Sequence, residues 1–86
     1  MRKYPNRVPC VVDGIKYLAP RDMRLCDFLV FVRRRMKYDS HEAIFVTFGG
    51  EHYPMHYTMH EIYQDNVASD GFLYGIIHQE KVYGHI

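Results

Sequence analysis

Six histidines, two cysteines and a run of three arginines are the residues of this 86-residue chain whose types could do chemistry unaided. His52, His56 and His60 recur at four-residue spacing, which on one unbroken helix would place three imidazoles on one face, as a zinc site requires. Pro54 and Thr58 interrupt any such helix and no Cys-x-x-Cys pair accompanies the histidines, so they are read as surface residues and no metal site is expected. Cys10 and Cys26 stand among apolar residues at a spacing that fits no metal or redox motif, so both are expected to be buried free thiols. Neither lies at a predicted helix start or beside a predicted cation, the settings that turn a thiol into a nucleophile. Arg33, Arg34 and Arg35 close a helical pattern, where cations suit the helix dipole, and a solvated helix end accounts for them as well as a nucleic-acid contact would. These residues predict no catalytic residue, no enzyme and no cofactor.

Composition sets the frame in which any site must sit. A chain of 86 residues has room for one domain, with 48% hydrophobic and 24% charged residues, a balance that favours a folded core over a disordered tail. The formal net charge of +1 gives no global field for nucleic acid, and no nucleic-acid partner is expected. No apolar stretch approaches the roughly 20 residues of a membrane span, and Met1-Arg2-Lys3-Tyr4-Pro5 leads into no apolar signal segment. Cytoplasmic synthesis is therefore expected.

The elements follow from periodicity and turn chemistry. Asp13-Gly14 stands between two β-rich runs, over 8–12 and 15–19, and supplies the positive φ angles of a tight hairpin turn. After Pro20 the spacing becomes helical: Leu25, Phe28, Leu29, Val32 and Met36 fall on one face. The only side chain near the helix start able to cap its free amides is Asp22. The run over 43–48 is rich in β-formers and meets Gly49-Gly50, which predicts a second hairpin with a short return strand stopped by Pro54. Thr58 and Glu61 have the spacing of a capping box, predicting a short helix over 59–64. A last β-rich run covers 72–78, followed by a tail over 79–86 expected to be flexible. Hairpin, long helix, hairpin, short helix and final strand is the order of an α+β, ubiquitin-like β-grasp fold, a mixed four-stranded sheet packed on one long helix.

Particular residues carry a resemblance that the element order alone does not. Lys3-Tyr4-Pro5-Asn6-Arg7-Val8-Pro9, Lys16-Tyr17-Leu18-Ala19-Pro20-Arg21-Asp22-Met23, and Phe72-Leu73-Tyr74 with Glu80-Lys81-Val82-Tyr83-Gly84 together resemble the GABARAP family of autophagy modifiers. Phe28 ahead of the arginine cluster and the pair Ile62-Tyr63 add to the likeness, which runs nearly the whole chain. The family normally carries two helices ahead of the Tyr-Pro segment, whereas here Met1, Arg2 and Lys3 precede it, so the N-terminal helical extension is expected to be lacking. Arg24 stands where the family tends to place a helix-capping threonine.

The resemblance implies an autophagy modifier cleaved between Gly84 and His85 by a maturation cysteine protease. Activating and conjugating enzymes would then join Gly84 to phosphatidylethanolamine, moving a cytoplasmic protein to the autophagosomal membrane. Glycine suits a narrow acyl-transfer channel because it has no Cβ. The resemblance also implies a groove for receptor peptides with an aromatic-x-x-aliphatic motif, which would pair with the edge formed by 16–18. Its first pocket would be lined by Pro9, Val11, Lys16, Leu18 and Phe72. The second would be lined by Tyr17, Ala19, Pro20, Met23, Phe28, Phe31 and Val32, while Arg7, Lys16 and Arg35 attract flanking acidic residues. The alternative is a β-grasp adaptor that binds peptides and is never conjugated.

Overall fold

In the computed structural model, which describes residues 5–39 and 41–80, the chain folds back at Asp13 and Gly14, whose φ angles are +49° and +82°. Two positive φ angles in succession form the turn that matches the twist of the strands it joins. β1 (Arg7–Val12) and β2 (Ile15–Pro20) pair antiparallel from Arg7 opposite Pro20 to Val12 opposite Ile15. The Asp13 carboxylate also accepts a hydrogen bond from the Ile77 amide, tying this turn to the last strand.

α1 (Leu25–Arg35) buries Leu25, Phe28 and Val32, with Leu29 and Met36 partly covered, as its periodicity predicts. Its start is not capped by Asp22. The N-cap is Arg24, which makes no side-chain bond; instead the Leu25 and Cys26 amides donate to the carbonyls of Tyr57 and Met55. Free amides at a helix start need acceptors, and backbone from a segment thirty residues away provides them. At the other end Lys37 takes the left-handed conformation, and the Lys37 and Tyr38 amides close on the Arg34 and Arg33 carbonyls. This is the Schellman termination with lysine where glycine is usual.

β3 (Ala43–Phe48), α2 (Met59–Asn66) and β4 (Leu73–Glu80) complete the fold. The sheet order is β2-β1-β4-β3, with β4 parallel to β1 and antiparallel to β3. The element order departs from expectation at the second hairpin: Gly49-Gly50 turns the chain, but the return is one bridge between Phe48 and Glu51 and no strand. β3 spends its ladder on β4, and Tyr53 leaves the sheet plane to pack near Phe48 and Tyr57. β4 continues through Glu80, two residues into the expected tail, and the rest of that tail lies outside the described residues.

The sheet has one buried face. Val8, Cys10 and Val12 of β1, Tyr17 and Ala19 of β2, Val46 and Phe48 of β3 and Leu73 of β4 meet α1 and the Met59, Ile62 and Tyr63 side of α2. Period-two alternation sends Pro9, Val11, Lys16, Leu18, Tyr74 and Ile76 to the opposite face. Gly75 must lack a side chain, because an added Cβ would stand 2.7 Å from the buried Phe48 ring.

Two outcomes test this packing. Phe28→Ala removes a fully buried ring and should cost about 3–5 kcal/mol of unfolding free energy in urea, a large share of a small domain's stability. Thr58→Ala removes the side-chain arm of the observed capping box, in which Thr58 Oγ1 accepts from the Glu61 amide and donates to Glu61 Oε1, leaves the reciprocal bond from the backbone amide at 58 to Glu61 Oε1, and should cost about 1 kcal/mol. These Thr58 bonds hold the Glu61 carboxyl below its ordinary value. A lowered folded-state value means the contribution is complete at neutral pH and lost as pH falls through that value. Urea unfolding of the variant at pH 7 and again in acid should show the difference between it and the parent shrinking in acid.

Candidate functional site

β2 is the outermost strand and pairs only with β1 among the described residues. Its far edge therefore carries backbone donors and acceptors available to an extended peptide. Alternation gives this edge two chemistries. Lys16 and Leu18 point to the open face, where Leu18 is 45% exposed, while Tyr17 and Ala19 point to α1.

On the open side lies a cavity of about 410 Å³ lined by Pro9, Lys16, Tyr17, Leu18 and Phe72. Phe72, just ahead of β4, is half-buried, and the Lys16 ammonium stands 5.8 Å from its ring centroid. Four of the five residues expected around the first pocket are thus together. Val11 is half-buried on the same face, opposite Lys16, but does not line the cavity.

On the helix side of β2 a second cavity, of about 260 Å³, is lined by Tyr17, Phe31, Arg34 and Arg35. Phe31 is 53% exposed although it sits on α1, because the helix turns only one stripe to the sheet. Ala19, Phe28 and Val32, expected around this pocket, are fully buried and belong to the core, while Met23 and Pro20 are half-buried. Tyr17 meets Phe28 edge-on at 5.4 Å, so the cavity wall is built directly on the core. Burial raises the Tyr17 hydroxyl above its ordinary range, with Arg35 acting against that shift. It is therefore a protonated donor at neutral pH.

The arginine run divides by role. Arg33 donates to the backbone carbonyls of Asp39 and Glu42 at 3.0 and 2.8 Å, clamping α1 to the segment that enters β3. Arg34 and Arg35 have no such partner among the described residues and border the second cavity. Identical neighbours in sequence gave no hint of this split, which the direction of each side chain around the helix decides. Arg7, at the start of β1, is exposed.

The remaining chemistry-bearing residues do not assemble a reaction site. Among the described residues no group of three metal-ligating side chains comes together. His52 and His78 both lie against Phe45, 5.0 and 4.9 Å between centroids, and His78 shares a hydrogen bond with Thr47. His60 Nε2 accepts from Arg21 at 2.9 Å. Cys10 is buried as expected, and burial pushes its thiol up to about 12. Cys26 is exposed and lies at a helix start, contrary to expectation on both counts, because it falls on the outer side of the first turn of α1. The folded protein should therefore take up one equivalent of iodoacetamide at pH 8, at Cys26, and a second only after denaturation. Mass spectrometry of tryptic peptides checks this, and alkylated Cys10 in folded protein would contradict the packing. Gly84 and His85 lie outside the described residues.

Comparison with known proteins agrees with this geometry. A family described as "Autophagy protein Atg8 ubiquitin like" matches residues 1–84. Autophagy-related protein 8c of Arabidopsis thaliana is 36% identical over 93 residues, covering 95% of this chain and 78% of its own. Autophagy-related protein 8a of the same plant is 34% identical, covering 98% and 78%. The crystal structure of Trypanosoma brucei ATG8 superposes with a TM-score of 0.84 at 27% identity, covering 95% of this chain and 80% of that one. A β-grasp core and a match over nearly every residue leave one assignment: the chain belongs to the Atg8 family of ubiquitin-like autophagy modifiers, which are modifiers and not enzymes.

Proposed function

We propose that this modifier is cleaved after Gly84, joined through that residue to phosphatidylethanolamine on autophagosomal membranes, and recruits receptors through the β2 edge and the cavities on either side of it. The observation that carries the binding half is the meeting of Pro9, Lys16, Leu18 and Phe72 around one cavity beside a strand edge that is unpaired among the described residues. Main-chain bonds to β2 would set the register of a peptide, an aromatic side chain would enter the first cavity, and an aliphatic one the second. Each buried anchor contributes roughly 1.5–3 kcal/mol before ordering costs, which suits micromolar, reversible capture. Arg7, Lys16 and Arg35 are all exposed and would draw acidic residues toward the edge.

The conjugation half is supported by the family match, which ends on Gly84. The chain would serve as substrate for a cysteine protease and then for activating and conjugating enzymes, which supply all the catalysis. Attachment to a lipid with two acyl chains holds a protein at a membrane far more firmly than one chain does. The cytoplasmic pool would thereby move to the autophagosome.

Leu18→Ala should weaken an aromatic-x-x-aliphatic peptide by about 1 kcal/mol or more, as expected at a desolvated anchor pocket, with thermal unfolding little changed. Leu18 is the better probe than Phe28, whose loss would disturb the core. Equal peptide affinity by calorimetry would remove the groove. For conjugation, Gly84→Ala should block processing, whereas a chain ending at Gly84 should attach to membranes without the protease. Mass spectrometry of protein from autophagy-induced cells should find loss of His85 and Ile86 and the added mass of a phospholipid. If all of it retains both residues, the unconjugated adaptor becomes the correct reading.

A further inference from the structure

A histidine meets an arginine where β2 hands the chain on to the helices. Arg21 directly follows Pro20, the last residue of β2, and its guanidinium lies 2.9 Å from Nε2 of His60 in the first turn of α2. Backbone joins the same places: the His60 amide donates to the Arg21 carbonyl, the Met59 amide to the Met23 carbonyl, and the Arg21 amide to the Asn6 carbonyl ahead of β1. The end of the edge strand, the entry to β1 and the start of α2 therefore meet at one pair of side chains.

That pair fixes the protons on the ring. A guanidinium can only donate, so Nε2 is the acceptor and the neutral imidazole carries its proton on Nδ1, which is buried without a protein partner among the described residues. A second proton can enter only at Nε2. There it would set an N–H against an N–H and a cation against a cation, and it would do so at a helix N-terminus, where the backbone dipole disfavours positive charge. The other charged or titratable groups around the joint are Asp22 and Arg24 on the segment ahead of α1, the second of them bridged to Thr58, with His56 and Glu61 at the start of α2. Both acids are exposed, so solvent screens their attraction for an imidazolium, and Glu61 is already engaged by the Thr58 amide and hydroxyl.

We infer that Arg21 and His60 form a proton-sensitive latch, closed while the imidazole is neutral and released when a proton from solvent takes the Nε2 lone pair on which the Arg21 N–H rests. No covalent bond of the chain changes; one hydrogen bond is lost and the guanidinium turns out to water. Histidine is the side chain whose charge ordinarily changes between about pH 5 and about pH 8, so the latch works in mild acid, above the range in which carboxylates lose their charge. The folded chain must either refuse the proton or give up the bond, whereas the unfolded chain takes it freely. The unfolded state therefore binds more protons, and the joint weakens as pH falls. Once released, the end of β2 is left to its ladder with β1, and the start of α2 to its backbone bonds and capping box. The strand affected is the one whose edge lies beside both cavities.

The test uses the whole chain labelled with nitrogen-15 and followed by NMR. At about pH 7.5 the His60 ring should carry its proton on Nδ1, with Nε2 bare. Between there and about pH 5.5, Nε2 should take a proton, and the hydrogen-exchange protection of the Met59 and His60 amides should fall by roughly tenfold relative to amides of the β1–β4 ladder. Two variants separate the latch from a general effect of acid. His60→Gln keeps an acceptor for Arg21 but takes no proton, and Arg21→Gln can turn its amide oxygen toward an imidazolium. In both, the relative loss over the same range should stay under about twofold. A neutral ring with its proton on Nε2 overturns the inference, and so does protection that holds steady in the parent or falls equally in His60→Gln. If neither variant folds, the ring tautomer and the exchange of the parent chain decide the matter by themselves.

Discussion

Phe28 is the contact on which the rest of this small protein depends. Fully buried on α1, it meets Tyr17 edge-on and so joins the helix to the strand whose other side and edge carry the site. A core made from one helix stripe and one sheet face has little redundancy. In a domain of this size a lost ring of that volume is a large fraction of the net stability. Any ligand that enters the second cavity rests against a wall whose back is the core itself. Binding geometry and stability share the same side chains there.

The alternation of β2 turns that packing into a site. Six residues serve three purposes: inward side chains close the core, outward ones build the first cavity, and the far backbone edge has no pairing strand among the described residues. A slip of one residue in the pairing with β1 would exchange Leu18 for Tyr17 and destroy both cavities. Two features hold the register. Asp13 and Gly14 form a turn with no spare residue, and the Asp13 carboxylate takes the Ile77 amide, so the hairpin is pinned to β4 as well as to itself. Parallel pairing of Cys10, Val11 and Val12 with Leu73, Tyr74 and Gly75 then brings Phe72 beside Pro9 and Leu18.

Distant backbone carries a second kind of dependence. With arginine at its N-cap, α1 has no side-chain cap of its own, and the carbonyls of Met55 and Tyr57 replace it. Those carbonyls are held in place because the same segment leads into α2, whose Met59 and His60 amides return to the carbonyls of Met23 and Arg21. The two helix starts thus satisfy each other. The Thr58 capping box belongs to this joint, and its value extends beyond the short helix it begins.

Local chemistry was legible in the residues themselves. The Asp-Gly turn, the helical stripe from Leu25 to Met36, the capping box, the four-stranded β-grasp class and the family were all readable, because each rests on neighbours in sequence or on a motif. The first cavity was largely readable too, since the matching segments named Pro9, Lys16, Leu18 and Phe72. What required the tertiary structure was every choice between chemically equivalent options. Gly49-Gly50 can open a hairpin, yet the strand after it did not form, because β3 found its partner in β4. Cys10 and Cys26 both sit in apolar stretches, but only the one facing the helix from the sheet is buried. Three successive arginines look alike until the helix aims Arg33 at the backbone before β3 and leaves Arg34 and Arg35 at a cavity. Phe28 and Val32 are buried as members of that readable stripe, whereas Ala19 has the type of a pocket residue and is taken inside, because burial depends on what packs from the other side. That information is held by contacts distant in sequence, and one sequence read along its length does not contain them in explicit form.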